Sequence, residues 1–434
     1  MNIYSYQEAF GASDKTSKAM KKAIADWFSM YYQQDTSPDS NPCQRIAYTV
    51  VNKITKAVFS EYKANCEDAQ LQRWLQALEE RKKEAMQLAL VGGECYLKPC
   101  PNGTGFSYNL ITRSNLFIFA RDSRVATTDV GLAERTTLGK YYYTLLERRT
   151  VDDGILTIRY RLYRSATREK LGSEVDLREH PQYRSLPQLW RSEVGSLGLV
   201  RMKTPMVNCV DGSSDAVAVF APAAQLIAAI NENEAQLAGE FQRGQSRILV
   251  SKDLLDRDGE LSENLFVGLD EDPQTVGMTI FAPQLRQQSF LERKQEYLRN
   301  VESVVGLKRG MLSDANLDER TATEMAASQA DYSLTVMDFQ SMWEEAVRKT
   351  MALCSRLAKI YAMEESKDDA IFFDWGNGVL FDEEKTWQGY LQMVQMGLIA
   401  PEVALGWRFD MPAETKEQRL AIRQKYMPEE KASL

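Results

Sequence analysis

Ala89-Leu-Val-Gly-Gly-Glu-Cys-Tyr-Leu-Lys-Pro99 marks the point where the hydrophobic period of this chain changes. Upstream, apolar residues recur every three or four positions, the spacing of a helix face. Gly92-Gly93 breaks that pattern, and Glu94-Cys-Tyr-Leu-Lys98 alternates as a strand does. Three helices are predicted before this point. Ser13 can cap the first, whose apolar face is Met20, Ala23, Ile24, Trp27, Phe28 and Tyr31. Thr36-Ser-Pro-Asp-Ser-Asn-Pro42 ends it. Ile46, Val50, Ile54 and Val58 give a second helix. Leu71, Trp74, Leu75, Leu78, Ala85 and Leu88 give a third, running from about Asp68 to Leu90.

Downstream of the glycines the period stays short. Strands are predicted over Phe106 to Thr112, Leu116 to Ala120, Lys140 to Arg148 and Ile155 to Arg164. Asp152-Asp153-Gly154 joins the last two as a hairpin turn, because Gly tolerates positive φ. Residues 93–210 therefore read as an antiparallel sheet with loops. Helical spacing then returns. Pro222 opens a segment to Arg243 with Leu226, Ile230, Leu237 and Phe241 on one side, Gly244 stops it, and Ser246 to Val250 reads as a short strand. A polar, acidic stretch follows from Asp253 to Pro273. No proline occurs between Pro283 and Pro401, a long window permissive for helices. Gln284 to Val305 carries Leu291, Leu298, Val301 and Val305. Thr321 to Met363 keeps a stripe through Tyr332, Val336, Trp343, Val347, Met351, Cys354, Leu357 and Tyr361. Unbroken, it measures roughly 60 Å at 1.5 Å per residue, more than a single core usually needs. The fold class is α+β.

Composition narrows the chemistry. The chain has 434 residues, 53 Lys and Arg against 61 Asp and Glu, and a formal charge of −8. Such a balance opposes tight coating of nucleic acid. A single histidine, His180, removes Ser-His-Asp triads and His-rich zinc sites from consideration. It precedes Pro181 in a Pro-rich loop and reads as a surface residue. Six cysteines lack paired C-x-x-C spacing and read as reduced thiols packed as small hydrophobes. The first ten residues show no secretory signal, and no apolar run reaches the roughly 18 residues of a membrane span.

No Gly-Lys-Ser/Thr occurs, so a Walker A loop is missing; Gly139-Lys140 is followed by Tyr141. Gly92-Gly93 lies after a helix and before a strand, the reverse of a Rossmann turn. Asp314, Asp318, Glu319 and Glu324 crowd the start of the longest helix, and Asp152-Asp153 sit in a turn. Such carboxylates suit a glycosidase or a Mg²⁺-dependent nuclease, but helix-dipole complementation and turn chemistry explain them more simply. Arg148-Arg149 and Arg159 to Arg168 are expected to form a solvated strand face. Catalytic, cofactor and metal sites are therefore predicted to be none.

The order of segments resembles the portal proteins of tailed bacteriophages, particularly those of siphophages and prophages of Gram-positive bacteria. Ala89 to Pro99 is similar to that family's helix-to-strand passage into the wing. Phe220-Ala-Pro to Glu240-Phe-Gln-Arg-Gly-Gln-Ser-Arg-Ile-Leu-Val250 resembles a stem helix followed by a clip strand. Tyr297-Leu-Arg-Asn-Val-Glu-Ser-Val-Val-Gly-Leu-Lys-Arg-Gly-Met-Leu312 and Arg320-Thr-Ala-Thr-Glu324 form the most family-like passage. Ile371-Phe-Phe-Asp-Trp375, Asp382 and Met396-Gly-Leu-Ile-Ala-Pro-Glu402 resemble the C-terminal region. No clear second long stem helix is read between 244 and 283.

The resemblance implies a portal-like fold in five parts: an N-terminal helical part of the wing (1–92), a β-rich wing (93–221), a stem helix with a clip-like region (222–283), a tunnel-loop candidate with long helices (284–363), and a crown-like region (364–434). It further implies a homo-oligomeric ring, commonly a dodecamer, at one capsid vertex of the virion, assembled in the host cytoplasm. Its partners would be double-stranded DNA during packaging and ejection, the terminase large subunit, the head-tail adaptor, and the major capsid and scaffolding proteins. Neither a cofactor nor a membrane is implied, and the subunit would not be an enzyme. Arg286 and Gln287, within Ala282 to Leu291, stand where the family places its tunnel loop, so they are candidates to face DNA; an ordinary helix start is the alternative. Lys308 and Arg309 are candidate subunit contacts through an acidic partner such as Asp314 or Glu319, and Trp343 is a third. Another neck or connector ring protein, or a metal-dependent phage nuclease, are the competing readings.

Overall fold

The computed structural model describes residues 3–32, 43–122, 126–243, 247–251, 266–269, 279–281, 286–314, 322–366, 370–376, 383–409 and 411–427. Five helices cluster in the N-terminal part: α1 (Ile3–Phe10), α2 (Lys18–Tyr32), α3 (Ile46–Val58), α4 (Ala69–Glu79) and α5 (Lys82–Gly92), with a short strand β1 (Lys63–Cys66) before α4. The third predicted helix is thus two. Arg81 leaves helical geometry at φ −100°, ψ 0°, and its guanidinium donates to Glu84 and to the Tyr108 carbonyl. α4 packs on one strand and α5 on its neighbour, so a straight helix would lose one of these faces. Asp68 caps α4, its carboxylate accepting from the Gln70 and Leu71 N–H groups.

The change of period after α5 is enforced by packing. Gly93 sits at φ 79°, and a Cβ there would lie 2.6 Å from the backbone of Ala216 and Val217. Only glycine lets the chain turn into β2 (Glu94–Asn102) this close to another segment. β2 is the centre of a three-stranded antiparallel sheet between β3 (Gly105–Thr112) and β10 (Val200–Lys203). A second antiparallel sheet runs β4 (Leu116–Arg121), β5 (Thr127–Leu138), β6 (Tyr141–Asp152), β7 (Ile155–Ser165), with β8 (Ser173–Val175) and β9 (Leu189–Ser192) both on the outer edge of β7. The single predicted sheet is therefore two, and β5, with no apolar alternation of its own, was not predicted. The β6–β7 turn is the expected one: Asp153 and Gly154 have φ 47° and 80°, the pattern of a two-residue type I′ turn.

After β10 come α6 (Ala224–Arg243), strands β11 (Arg247–Ser251), β12 (Phe266–Leu269) and β13 (Thr279–Phe281), then α7 (Gln287–Val305) and α8 (Ala322–Ile360). β11 pairs in parallel with β12 and antiparallel with β13. α8 is one helix of 39 residues, about 58 Å long. Its stripe of Val336, Phe339, Trp343, Val347, Cys354 and Leu357 is buried against β2, β10, α3 and α4. Tyr108 ties these layers, its hydroxyl donating to the Trp74 carbonyl at 2.9 Å and lying 3.5 Å from Cys354 Sγ. α1 covers one face of the larger sheet through Tyr6 and Phe10 against Phe117, Phe119 and Leu146.

Two compact units are present: Met1–Val58 with Ala64–Phe372, and Phe59–Lys63 with Phe373–Leu434. β14 (Ile371–Asp374) pairs with β1. The second unit holds α9 (Glu383–Gln395), α10 (Pro401–Arg408) and α11 (Lys416–Tyr426). Stacked aromatics hold it, among them Tyr390 on Trp407 and Phe409 on Tyr426, with a Thr415–Gln418 capping box opening α11.

Candidate functional site

The predicted site residues fall on the α6–α7 pair, the loop after it, and α8. α6 and α7 run antiparallel, as their cross-links show: Asn233 Nδ2 donates to the Phe290 carbonyl (3.1 Å), Lys294 pairs with Glu234 (2.8 Å), and Arg286 grips Glu240 with two nitrogens at 3.0 Å each. The long partner helix that the sequence did not offer between 244 and 283 is α7 itself, which begins just beyond that window. Arg286 stands immediately before α7 and is 72% exposed, with Glu240 answering its charge. Gln287 is the first residue of α7 and is exposed.

α7 ends at Gly306, and the chain then wraps around a single carboxylate. Glu302 is 1% exposed, yet it lies on the apolar stripe beside Val301 and Val305. Its oxygens accept from the N–H of Gly310 (3.1 Å), Leu312 and Ser313 (2.9 Å) and from the Ser313 hydroxyl (2.8 Å). Its carbonyl accepts from the Leu307 N–H at 2.9 Å, and Gln295 Oε1 accepts from the Asp314 N–H at 2.8 Å. A buried carboxylate is tolerable only with such a set of donors. The result is a fixed loop with Lys308 and Arg309 exposed at its tip. Sequence reading picked out those two cations and missed the residue that holds them. The available signal was a glutamate standing among valines on a helical stripe.

Trp343 corrects the expectation. It is 0% exposed in the single chain, so its ring is an anchor of the chain's own core. His180 is likewise buried rather than on the surface, at 6% exposure. Its ring stacks on Tyr183, its Nδ1 accepts from the Gln182 N–H, and Nε2 lies 3.3 Å from the Thr136 hydroxyl. The arginines of the larger sheet are not simply solvated: Arg148 forms a fork on Asp129, and Arg149 is buried against Glu147. Glu147 also pairs with Lys98. Burial pushes the Glu147 carboxyl up, but Arg149 and Lys98 outweigh it and hold the group down at about 2.

A second buried charge network begins beside Gly93, at Glu94. Glu94, fully buried, is flanked by Arg113 (3.0 Å) and Arg201, and Asp215 by Arg121. These pairs join β2, β4 and β10 to the segment before α6. Asp318, Glu319 and the Glu324 side chain lie outside the described residues; Asp152 and Asp153 sit in and beside a hairpin turn. No group of three His, Cys, Asp or Glu side chains suited to a metal occurs among the described residues. No disulfide occurs among them either, and none of their helices is long and apolar enough to cross a membrane.

No curated protein matches the chain. Among solved structures, the neck of a native GTA particle, computed with C12 symmetry, is similar over 96% of this chain and 97% of that chain, with 11% identity and a TM-score of 0.48. The family model described as phage portal protein, SPP1 Gp6-like, matches residues 47–429, nearly the whole chain and every segment from α3 to α11. The chain belongs to that family of phage portal proteins.

Proposed function

We propose that this chain is the subunit of a ring, commonly of twelve copies, set at one capsid vertex of a tailed phage. The ring passes double-stranded DNA inward during packaging and outward during ejection. It docks the terminase large subunit while the head fills and the head-tail adaptor afterwards, and it nucleates head assembly with the major capsid and scaffolding proteins in the host cytoplasm. The family match over residues 47–429 carries this reading. The subunit is a structural part of the virion, and the motor that hydrolyses nucleotide is a partner.

Physical features support it. The antiparallel α6–α7 pair, with a small sheet between its helices, suits a stem leading to a clip, and the 39-residue α8 suits a channel wall. A formal charge of −8 lets DNA slide, since a surface that neutralised many phosphates would hold it. The five-part division into wing, stem, clip, tunnel-loop and crown regions belongs to this proposal. So does the placing of Arg286 and Gln287 near DNA. Mass photometry and electron microscopy of the purified protein test it: rings of about twelve 49.4-kDa subunits are expected. A monomer that persists under all assembly conditions overturns the proposal, and Mg²⁺-dependent cleavage of plasmid DNA, lost on Asp→Asn changes, would replace it with a nuclease.

A further inference from the structure

Two adjoining cavities, of about 320 and 360 Å³, open between the larger sheet, the smaller sheet and the end of α8. Both are lined by Lys98, Asn109, Glu134, Leu145, Glu147 and Gln182. Beyond these, the first has apolar walls of Leu156, Ile158 and Leu357, with Tyr160, Trp190 and Tyr361. The Trp190 and Tyr361 rings stack with centroids 6.2 Å apart and planes 4° from parallel. The second cavity is more polar and adds Arg81 and Arg135. Volumes of this order sit at the lower end of the range for small-molecule sites.

The hydrogen-bonding inventory of the lining is lopsided. Both Glu147 oxygens are taken, one by Lys98 and one by Arg149, and Glu134 accepts from the Tyr183 hydroxyl at 3.3 Å. Arg149 is spent on Glu147 and on the carbonyls of Leu197 (2.7 Å) and Gly198 (3.1 Å). Arg81 gives one N–H to Glu84 and one to the Tyr108 carbonyl, and Arg135 gives one to Thr144 and one to the Arg168 carbonyl. Lys98 is the cation that both cavities share. Its ammonium carries three donors and meets one acceptor among the described residues, Glu147. The Tyr160 and Tyr361 hydroxyls and the Trp190 indole N–H meet none among them. Spare donors therefore line an apolar chamber in which both Glu147 oxygens and one Glu134 oxygen are already used. Lys98 is the ammonium that lines both cavities, and its two remaining donors can meet a carboxylate.

We propose that this paired cavity binds a carboxylate carried on a small apolar or aromatic body, with the carboxylate on Lys98 and the body between Ile158, Leu357 and the Trp190–Tyr361 stack. The same chemistry is offered by a free small acid and by the C-terminal carboxylate of a peptide ending in an apolar residue. The site is independent of the portal reading, since it lies within one subunit.

The test is isothermal titration of the full-length protein with three probes: 3-phenylpropionate, its alcohol 3-phenylpropanol, and N-acetyl-Gly-Gly-Phe with a free C-terminus. Saturable binding of at least one carboxylate probe is expected, with a Kd below about 1 mM, and the alcohol should bind at least about ten-fold more weakly. A tighter tripeptide identifies a chain end as the source, and a tighter phenylpropionate a free acid; either supports the site. Lys98→Met should weaken the carboxylates at least about ten-fold and leave the alcohol unchanged. Should that variant fail to fold, Tyr361→Ala, at the half-exposed mouth, should weaken both the acid and the alcohol by removing one wall. Absence of saturable binding, equal affinity for acid and alcohol, or unchanged carboxylate binding in folded Lys98→Met overturns the proposal.

Discussion

Glu147 shows how one buried side chain can couple fold to pH. Its carboxyl is held at about 2 in the folded chain, below its ordinary 4.5, because Arg149 and Lys98 outweigh its burial. A depressed folded value means that the unfolded chain binds the proton first. The stabilisation is therefore complete above about pH 4.5 and is lost as pH falls toward 2. Glu147→Gln should cost about 3–5 kcal/mol at pH 7, because it leaves Arg149 buried without its counter-charge. That deficit should shrink as urea titrations are repeated from pH 5 down to pH 2.5. Glu302 poses a different case, in which one carboxylate substitutes for a turn. Glu302→Ala strands the N–H groups of Gly310, Leu312 and Ser313, each costing about 1–3 kcal/mol if it stays buried. Hydrogen exchange should report lost protection at 310–313 while α4 and α5 stay protected.

The long helix α8 carries the next scale. Trp343 lies on its buried stripe, so Trp343→Ala should lower stability by about 3–5 kcal/mol through the cavity it leaves. Chemical denaturation of the disassembled subunit checks this, because the loss must appear without any neighbour present. Helical spacing made the stripe legible, since Val336, Trp343, Val347, Cys354 and Leu357 recur on one face. Other elements were less so. Nothing in Asp68 to Leu90 signals the break at Glu80 and Arg81, where neither glycine nor proline stands; the break answers the two strands underneath. β5 lacks an apolar alternation, since its outer half (Arg135 to Leu138) is half-exposed, and pairing with β4 and β6 makes it a strand.

For the whole molecule, the ring proposal turns on the surfaces one subunit presents. Lys308 and Arg309 are held out on a loop whose geometry Glu302 fixes, which lowers the ordering cost of any contact they make. The double change Lys308→Glu, Arg309→Glu should reduce ring formation in mass photometry by several-fold. The subunit should remain folded by circular dichroism, because both side chains are exposed at the tip of the loop. Rings that form normally at low and high salt would remove these residues from the interface.

Sequence by itself determined the α+β class, the switch of period at Gly92-Gly93, the β6–β7 turn, the long α8 and the family resemblance. Each is local, resting on spacing, on a glycine or on the order of segments. Tertiary structure decided which of two sheets each strand joined, that α7 returns along α6, and that His180 and Trp343 face inward. It also made Glu302, Glu147 and Lys98 the charged residues that matter. Glu302 takes its donors from 8 to 11 residues on, but the other outcomes depend on partners farther away, as Lys98 with Glu147 and Tyr108 with Cys354 show. A local pattern states whether a side chain suits a buried face, but the cost of burying a charge is settled only by the groups that fold against it.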